Sequence, residues 1–228
     1  MEIKEGKIID VRQDGATIFV PIENWNRFVL RQYDAVQVGF PDGRTITPSQ
    51  RKKAYACIRD IAEWIGDTVD NVKPLMKLEF VQTRLEALQK EIFSLSSCDV
   101  TTAKEFITYL IDFMIDHEVP SRIPLYELSE DLERFTYTCL MKKTCCVCGE
   151  TNADMHHVQS LGMGRDRDEA YQIGMEVISL CRKCHTIAHT KGNSWITKDL
   201  ILKPIPLTSE IGKIYGYSKK SLGAGIDN

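Results

Sequence analysis

Two pairs of cysteines with the same internal spacing constrain the fold of this chain more than any other feature of its sequence. Cys145 and Cys148 form one Cys-x-x-Cys pair, and Cys181 and Cys184 form the second. A tight turn aims both sulfurs of such a pair at one point, so two pairs supply the four thiolates of a tetrahedral zinc site. The pattern predicts a structural Zn²⁺ that staples a small C-terminal module. The extra thiol of Cys146 lies inside the first pair and leaves the ligand assignment there open.

The distribution of the cysteines favours metal binding over a disulfide scaffold. Five of the eight cysteines lie between positions 145 and 184, and the other three are scattered singly. The sequence contains no apolar run long enough to cross a bilayer, and its N-terminus does not resemble a signal peptide. We therefore expect a cytoplasmic protein with no membrane partner, in which closely spaced cysteines bind metal.

Four of the five histidines of the chain lie in this same segment. His156 and His157 stand between the cysteine pairs, and His185 directly follows the last cysteine. His189 comes four residues later, so His185 and His189 share one face of a helix. A purely structural zinc module needs no such set, and the histidines therefore indicate a second site that carries chemistry.

The order Cys-x-x-Cys, His-His, Leu-Cys-x-x-Cys-His-x-x-x-His resembles the HNH nuclease family, including its colicin DNase branch, over residues 142–192. In that family a β-hairpin and a helix hold one divalent cation (the ββα-metal fold). The resemblance implies that His156, His185 and His189 bind a catalytic Mg²⁺, Mn²⁺, Ni²⁺ or Zn²⁺, and that His157 is the general base. Adjacent strand residues point to opposite sides, so one histidine can bind the metal while the next faces the attacking water.

Glu176 marks a departure from the family pattern. The family carries an asparagine nine residues before the histidine that follows the last cysteine, and that position is Glu176 here. In the family this asparagine orients the base. Glu176 is predicted either to orient His157 as a carboxylate within the catalytic site or to be a solvated surface residue.

A glycine-rich loop between the two halves of the motif carries Arg165 and Arg167. Arginines beside a metal site suit contact with phosphate. The alternative is a flexible, solvated loop, and the sequence does not separate the two.

A second resemblance covers the upstream region. The segment 44–55, Arg-Thr-Ile-Thr-Pro-Ser-Gln-Arg-Lys-Lys-Ala-Tyr, is similar to the basic helix start of phage NinB (Orf) recombination proteins, and the whole arrangement resembles HNHc nucleases of phages of Gram-positive bacteria. The resemblance implies single-stranded or branched DNA as partner, a homodimer, and phage or host recombination proteins as further partners in the host bacterial cytoplasm. The net charge of −3 gives no overall attraction to DNA, so binding would need a local basic patch. Its predicted members are Arg44, Arg51, Lys52 and Lys53.

The hydrophobic pattern predicts an α+β fold with an N-terminal β-hairpin, a helical middle and the zinc-stapled ββα module. Strands are expected over 7–11 and 17–20, with a further strand over 35–40. Helices are expected over 48–65 and about 68–90, then one after a capping box at 102–105 and one from Leu128 through Cys139. We divide the chain into a DNA-binding region (1–140), a nuclease domain (141–203) and a C-terminal tail (204–228).

These features predict a metal-dependent endonuclease that hydrolyses phosphodiester bonds in single-stranded or branched DNA during phage recombination. Two alternatives stay open: a non-catalytic DNA-binding recombination mediator, and a zinc-stapled adaptor. The number of bound metal ions separates them, because a nuclease needs two ions per chain and either alternative needs one.

Overall fold

A computed structural model describes residues 6–22, 30, 43–83, 93–158 and 173–217. The chain forms two compact units, Met1–Pro41 and Asp42–Asn228, which are described separately. The predicted domain boundary near residue 140 falls inside the second unit and stays a prediction.

The first unit contains the predicted hairpin. Strand β1 (Lys7–Arg12) pairs antiparallel with β2 (Gly15–Phe19), and a two-residue turn joins Arg12 to its partner Gly15. The register shifts between Ile8 and Asp10, as expected where a bulge interrupts the ladder. The strand predicted over 35–40 lies outside the described residues.

The second unit begins with helix α1 (Pro48–Ile65), which confirms the predicted helix. The side chain of Thr47 accepts a hydrogen bond from the Gln50 backbone N–H, and the Gln50 side chain accepts one from the Thr47 backbone N–H. These two bonds satisfy backbone N–H groups that have no acceptor within the helix. Gly66 ends the helix with φ of +80°, a conformation that costs glycine little.

The helical core is formed by α1 together with α2 (Val69–Thr83), α3 (Val100–Asp116), α4 (Leu125–Leu128) and α5 (Leu132–Lys142). Helix α1 packs against α3, and α3 packs against α5. Large apolar side chains from α1 and α3 are fully buried where these helices meet: Ile58, Ile61, Phe106, Ile107 and Leu110.

Two predicted helix starts were wrong. Helix α3 begins earlier than the capping box predicted at 102–105, because the Asp99 side chain accepts the Thr102 backbone N–H at 2.8 Å and caps the helix there. The helix predicted from Leu128 through Cys139 is two helices. Asp131 accepts the Arg134 backbone N–H and starts α5 separately, after α4 has ended at Leu128.

The remaining elements include a three-stranded antiparallel sheet of order β3-β4-β5. The strands are β3 (Asp154–His157), β4 (Glu176–Leu180) and β5 (Ile205–Pro206). Helix α6 (Arg182–Lys191) follows β4 directly, a π-helical turn spans Trp195–Asp199, and α7 (Ser209–Ile214) comes last. Leu140 of α5 packs with Val177, Leu207 and Ile211 in a small second core. Helix α5 therefore joins the helical region to the sheet.

The second unit confirms the mixed α+β class. Among the residues that the structure describes, no helix is long and apolar enough to span a membrane.

Candidate metal centres

The four paired cysteines converge at the junction of three elements. Cys145 and Cys148 lie in the turn after α5, which is closed by the Gly149 N–H bond to the Cys145 carbonyl at 2.9 Å. Cys181 is the N-cap residue of α6, and Cys184 lies in its first turn. All four sulfurs lie within 4.8 Å of one another. This thiol cluster therefore links the turn, the end of β4 and the start of α6.

The separations of the sulfurs fit a tetrahedral ion. With zinc–sulfur bonds of about 2.3 Å, two thiolates of a tetrahedral site lie about 3.8 Å apart. The Sγ atom of Cys148 lies 3.6 Å from that of Cys181 and 3.8 Å from that of Cys184. The thiol cluster can thus hold a metal ion with four protein ligands and no open position.

Cys146 lies outside the group of four cysteines whose sulfurs lie within 4.8 Å of one another. Its backbone N–H donates to the Ser179 carbonyl. Burial and the neighbouring Cys146 thiol raise the pKa of Cys139. The Cys139 and Cys146 thiols are therefore buried members of the core.

A bound cation would stabilise the thiol cluster in its thiolate form. Burial raises the pKa of Cys145 to about 12, and burial and the nearby Cys145 raise the pKa of Cys184 further. Adjacent thiolates in a buried place are unfavourable unless a positive charge lies between them. A bound cation reverses this penalty, because a coordinating thiol loses its proton.

The three histidines predicted as ligands form a second group, the imidazole cluster. His156 comes from β3, and His185 and His189 come from one face of α6, with one ring nitrogen of each within 4.8 Å of the others. The His156 ring stands at 85° to that of His185 and at 77° to that of His189. Three protein ligands leave one position of a tetrahedral ion open, which is typical of catalytic metal sites.

The surroundings of the imidazole cluster favour neutral imidazole rings at His156 and His185. Burial lowers the pKa of His156, with a further lowering from His189 and an opposing effect of its hydrogen bond to Asn193. Burial and the neighbouring His156 and His189 lower the pKa of His185. Both rings therefore favour the neutral state, which is the state that binds metal.

His157 lies next to the imidazole cluster but not in it. In the β3–β4 ladder His156 is opposite Ile178, whereas His157 is opposite Val177, so the two rings leave β3 on opposite faces. His157 is half-buried, and its ring centroid lies 6.3 Å from that of Tyr217. One histidine thus joins the ligand set while its neighbour stays outside it.

Glu176 is exposed at the start of β4. Its backbone carbonyl accepts a hydrogen bond from Val158, and strand alternation puts its side chain on the face of Ile178 rather than on that of Val177 and His157. No side-chain hydrogen bond joins Glu176 to another residue of the described ranges. Its role in orienting the base stays a prediction.

The structure gives the predicted DNA-contacting residues different surroundings. The Arg51 guanidinium donates to the carbonyls of Leu95 and Ser96, and Lys53 pairs with Glu130 at 2.5 Å. Arg44 and Lys52 are exposed. Arg165 and Arg167 lie outside the described residues.

One residue at the histidine cluster was missed from the sequence. Asn193 lies 2.9 Å from the Nε2 atom of His156 through its Oδ1 atom and donates to the Val158 carbonyl. The signal was the spacing, because Asn193 continues the interval of four set by His185 and His189. Gly192 ends α6 just before Asn193, so Asn193 is not on the helix itself.

A turn, two strands and a helix form a small module with four cysteines that could hold one metal ion and three histidines that could hold a second. The family described as "Putative HNHc nuclease" matches residues 24–217. The match covers most of the chain, and the chain belongs to this family of HNH nucleases. Searches of curated proteins and of solved structures gave no match.

Proposed function

We propose that this protein is a metal-dependent DNA endonuclease, with its catalytic cation held by His156, His185 and His189 and with His157 as general base. The observation that supports the proposal is the imidazole cluster with its open ligand position. His157 follows His156 in sequence but points to the other face of the strand. Family membership supplies the reaction class, the hydrolysis of a phosphodiester bond.

The imidazole cluster has the chemistry of a site for Mg²⁺, Mn²⁺, Ni²⁺ or Zn²⁺. A divalent cation bound there supplies a Lewis acid that stabilises the negative charge on the phosphate and on the leaving oxygen. His156 fixes the site from the strand, while His185 and His189 fix it from the helix. Rigid elements on both sides keep the ligands in place without reorganisation during the reaction.

His157 accepts a proton from the attacking water in this proposal. The water oxygen forms a bond to phosphorus, the bond from phosphorus to the leaving oxygen breaks, and the leaving oxygen takes a proton from solvent. A neutral imidazole is a competent base near pH 7. The half-buried position of His157 limits its rotation, which supports a fixed orientation.

The thiol cluster is proposed to bind a structural Zn²⁺. It fixes the start of α6, and so it also fixes His185, which directly follows Cys184. The module has a small core, so metal binding supplies part of its folding free energy.

The proposed substrate is single-stranded or branched DNA in phage recombination, and the proposed active form is a homodimer. Glu176 is proposed to orient His157, and Arg165 and Arg167 are proposed to contact phosphate. The support is the resemblance of the 44–55 segment to recombination proteins and the exposure of Arg44 and Lys52 on that segment. Arg44 and Lys52 are the exposed cations of this group, and we expect them to contact phosphates. The Arg51 guanidinium donates to the Leu95 carbonyl, and Lys53 pairs with Glu130.

The test is cleavage of plasmid, single-stranded and four-way-junction DNA by the wild type, His157→Ala and His117→Ala with Mg²⁺, Mn²⁺, Ni²⁺ or Zn²⁺. His117 is an exposed histidine that packs against Phe113 and serves as the matched control. We expect metal-dependent cleavage that falls about 10²–10⁴-fold in His157→Ala, the usual contribution of a general base, and remains at the wild-type level in His117→Ala. Equal rates for both variants would rule out His157 as the base. DNA binding without cleavage under any condition would favour the recombination mediator.

A further inference from the structure

We propose that Asn193 is a positioning residue of the imidazole cluster, which fixes His156 as the tautomer protonated on Nε2 and so presents its Nδ1 atom to the cation. The inference deepens the proposed function and rests on it in one respect, namely that the three imidazoles bind the catalytic cation.

Asn193 reaches β3 from the end of α6. It follows Gly192, whose φ of +81° ends the helix after Lys191. Its Oδ1 atom lies 2.9 Å from Nε2 of His156, and its Nδ2 group donates to the Val158 carbonyl. One side chain thus holds the residue before His157 and the residue after it.

The orientation of the Asn193 amide follows from its second partner. A backbone carbonyl only accepts hydrogen bonds, so the NH₂ group must face Val158 and the oxygen must face His156. An amide oxygen also only accepts, so Nε2 of His156 must carry the proton that joins them. A neutral imidazole has a single ring proton, and the lone pair therefore stays on Nδ1.

This arrangement gives Asn193 two effects on the site. A hydrogen-bond acceptor on the far nitrogen of a ligating histidine fixes the ring orientation and makes the ligating nitrogen more basic. The bond to Val158 also restrains the backbone on the far side of His157, so the ligand and the base keep a fixed relation.

Asn193 also supplies a side-chain amide next to β3, whereas Glu176 at the family's asparagine position supplies a carboxylate. Glu176, which stands in place of the asparagine of the family, is exposed and lies on the face of Ile178. Asn193 contacts His156 on β3 and Val158 just beyond the end of that strand. The restraint on the strand that carries the base therefore comes from the helix end.

The experiment compares the full-length wild type, Asn193→Ala, Asn193→Asp and Thr190→Ala, each with zinc in the thiol cluster. Thr190 lies in the last turn of α6, and its hydroxyl donates to the Thr186 carbonyl of the same helix, so its variant is the matched control. ¹⁵N NMR reports the tautomer of His156 before Co²⁺ is added. The visible absorption of Co²⁺ then gives its affinity for the imidazole cluster.

We expect the Nε2–H tautomer in the wild type and a mixture of tautomers in Asn193→Ala. Co²⁺ should bind Asn193→Ala about 10–100-fold more weakly, the usual effect of losing such a partner. Asn193→Asp keeps the acceptor and should restore both the tautomer and most of the affinity, although it loses the bond to Val158. A merely structural role would leave the two Asn193 variants alike.

An Nδ1–H tautomer in the wild type, or unchanged Co²⁺ affinity in Asn193→Ala, would overturn the inference. These readouts do not depend on cleavage. A protein that shows the expected tautomer and affinities but cuts no DNA would therefore contradict the proposed function and leave the role of Asn193 intact.

Discussion

The thiol cluster and the imidazole cluster are adjacent, but they offer different numbers of ligands to a metal ion. Cys184 and His185 are adjacent in sequence, yet Cys184 belongs to the first cluster and His185 to the second. The thiol cluster offers four ligands and is closed, whereas the imidazole cluster offers three and leaves a position open. A closed site can only hold the chain together, while an open site can bind a reactant.

The shared helix explains why the two sites occur together. Helix α6 starts at the thiol cluster and carries both of its histidines in its next turns. Any movement at the start of α6 would displace the histidine ligands. The thiol cluster therefore fixes the positions of the histidine ligands. Substitutions in the thiol cluster should have larger effects on the fold and on cleavage than substitutions in the imidazole cluster.

The largest effect is expected from Cys184→Ser, which removes one ligand from the closed site. Structural zinc contributes roughly 10–16 kcal/mol of binding free energy in small zinc modules, so its loss should unfold the sheet and α6 and abolish cleavage. Far-UV circular dichroism and an NMR spectrum of the variant measure this directly.

The control is Cys98→Ala, which changes a buried cysteine outside the cluster. It should retain the fold and the metal content. If Cys184→Ser folded like the wild type and kept its zinc, the thiol cluster would not be the structural element that the comparison requires.

An intermediate effect is expected from His189→Ala, which breaks the open site alone. The variant should keep its fold and its thiol-bound metal but lose metal-dependent cleavage, because two imidazoles bind a cation much more weakly than three. Thermal unfolding and cleavage assays, run side by side, should give a melting temperature near that of the wild type together with lost activity. Unfolding as severe as in Cys184→Ser would show that both clusters are structural.

The smallest effect concerns pH. The pKa values of His156 and His185 are lowered in the folded protein. Below about pH 6.5 the unfolded chain therefore binds more protons than the folded chain, and the free energy of unfolding decreases. With zinc in the thiol cluster only, the stability from these two rings is full above about pH 6.5 and is lost as the pH falls through their lowered values.

Urea unfolding at several pH values measures this loss. His185→Gln should show a smaller decrease between about pH 6.5 and 5 than the wild type, while His117→Gln should follow the wild type. A wild-type protein whose stability rises as the pH falls through this range would contradict the sign of the argument.

The thiol and imidazole clusters could be predicted from the sequence because their geometry is local. Cys-x-x-Cys spacing dictates a turn, the interval of His185 and His189 dictates a helix face, and adjacent strand residues must point apart. The hairpin and α1 were predictable for the same reason, since turn and capping residues act within a few positions.

The rest depends on contacts between distant segments. Asn193 meets His156 across 37 positions, and Arg51 meets the Leu95 carbonyl across 44. Composition and spacing do not encode such pairings. The basic run of 51–53 therefore looked like one surface patch, although two of its members bond within the chain.

The most direct test of the two-cluster account is the number of metal ions bound to each folded chain. Native mass spectrometry of the zinc-loaded protein should find two ions in the wild type and one in His189→Ala, with the fold of both checked by circular dichroism. A wild type that binds a single ion, retained in His189→Ala, would contradict the account, because the imidazole cluster would then hold no cation and could not serve a metal-dependent nuclease.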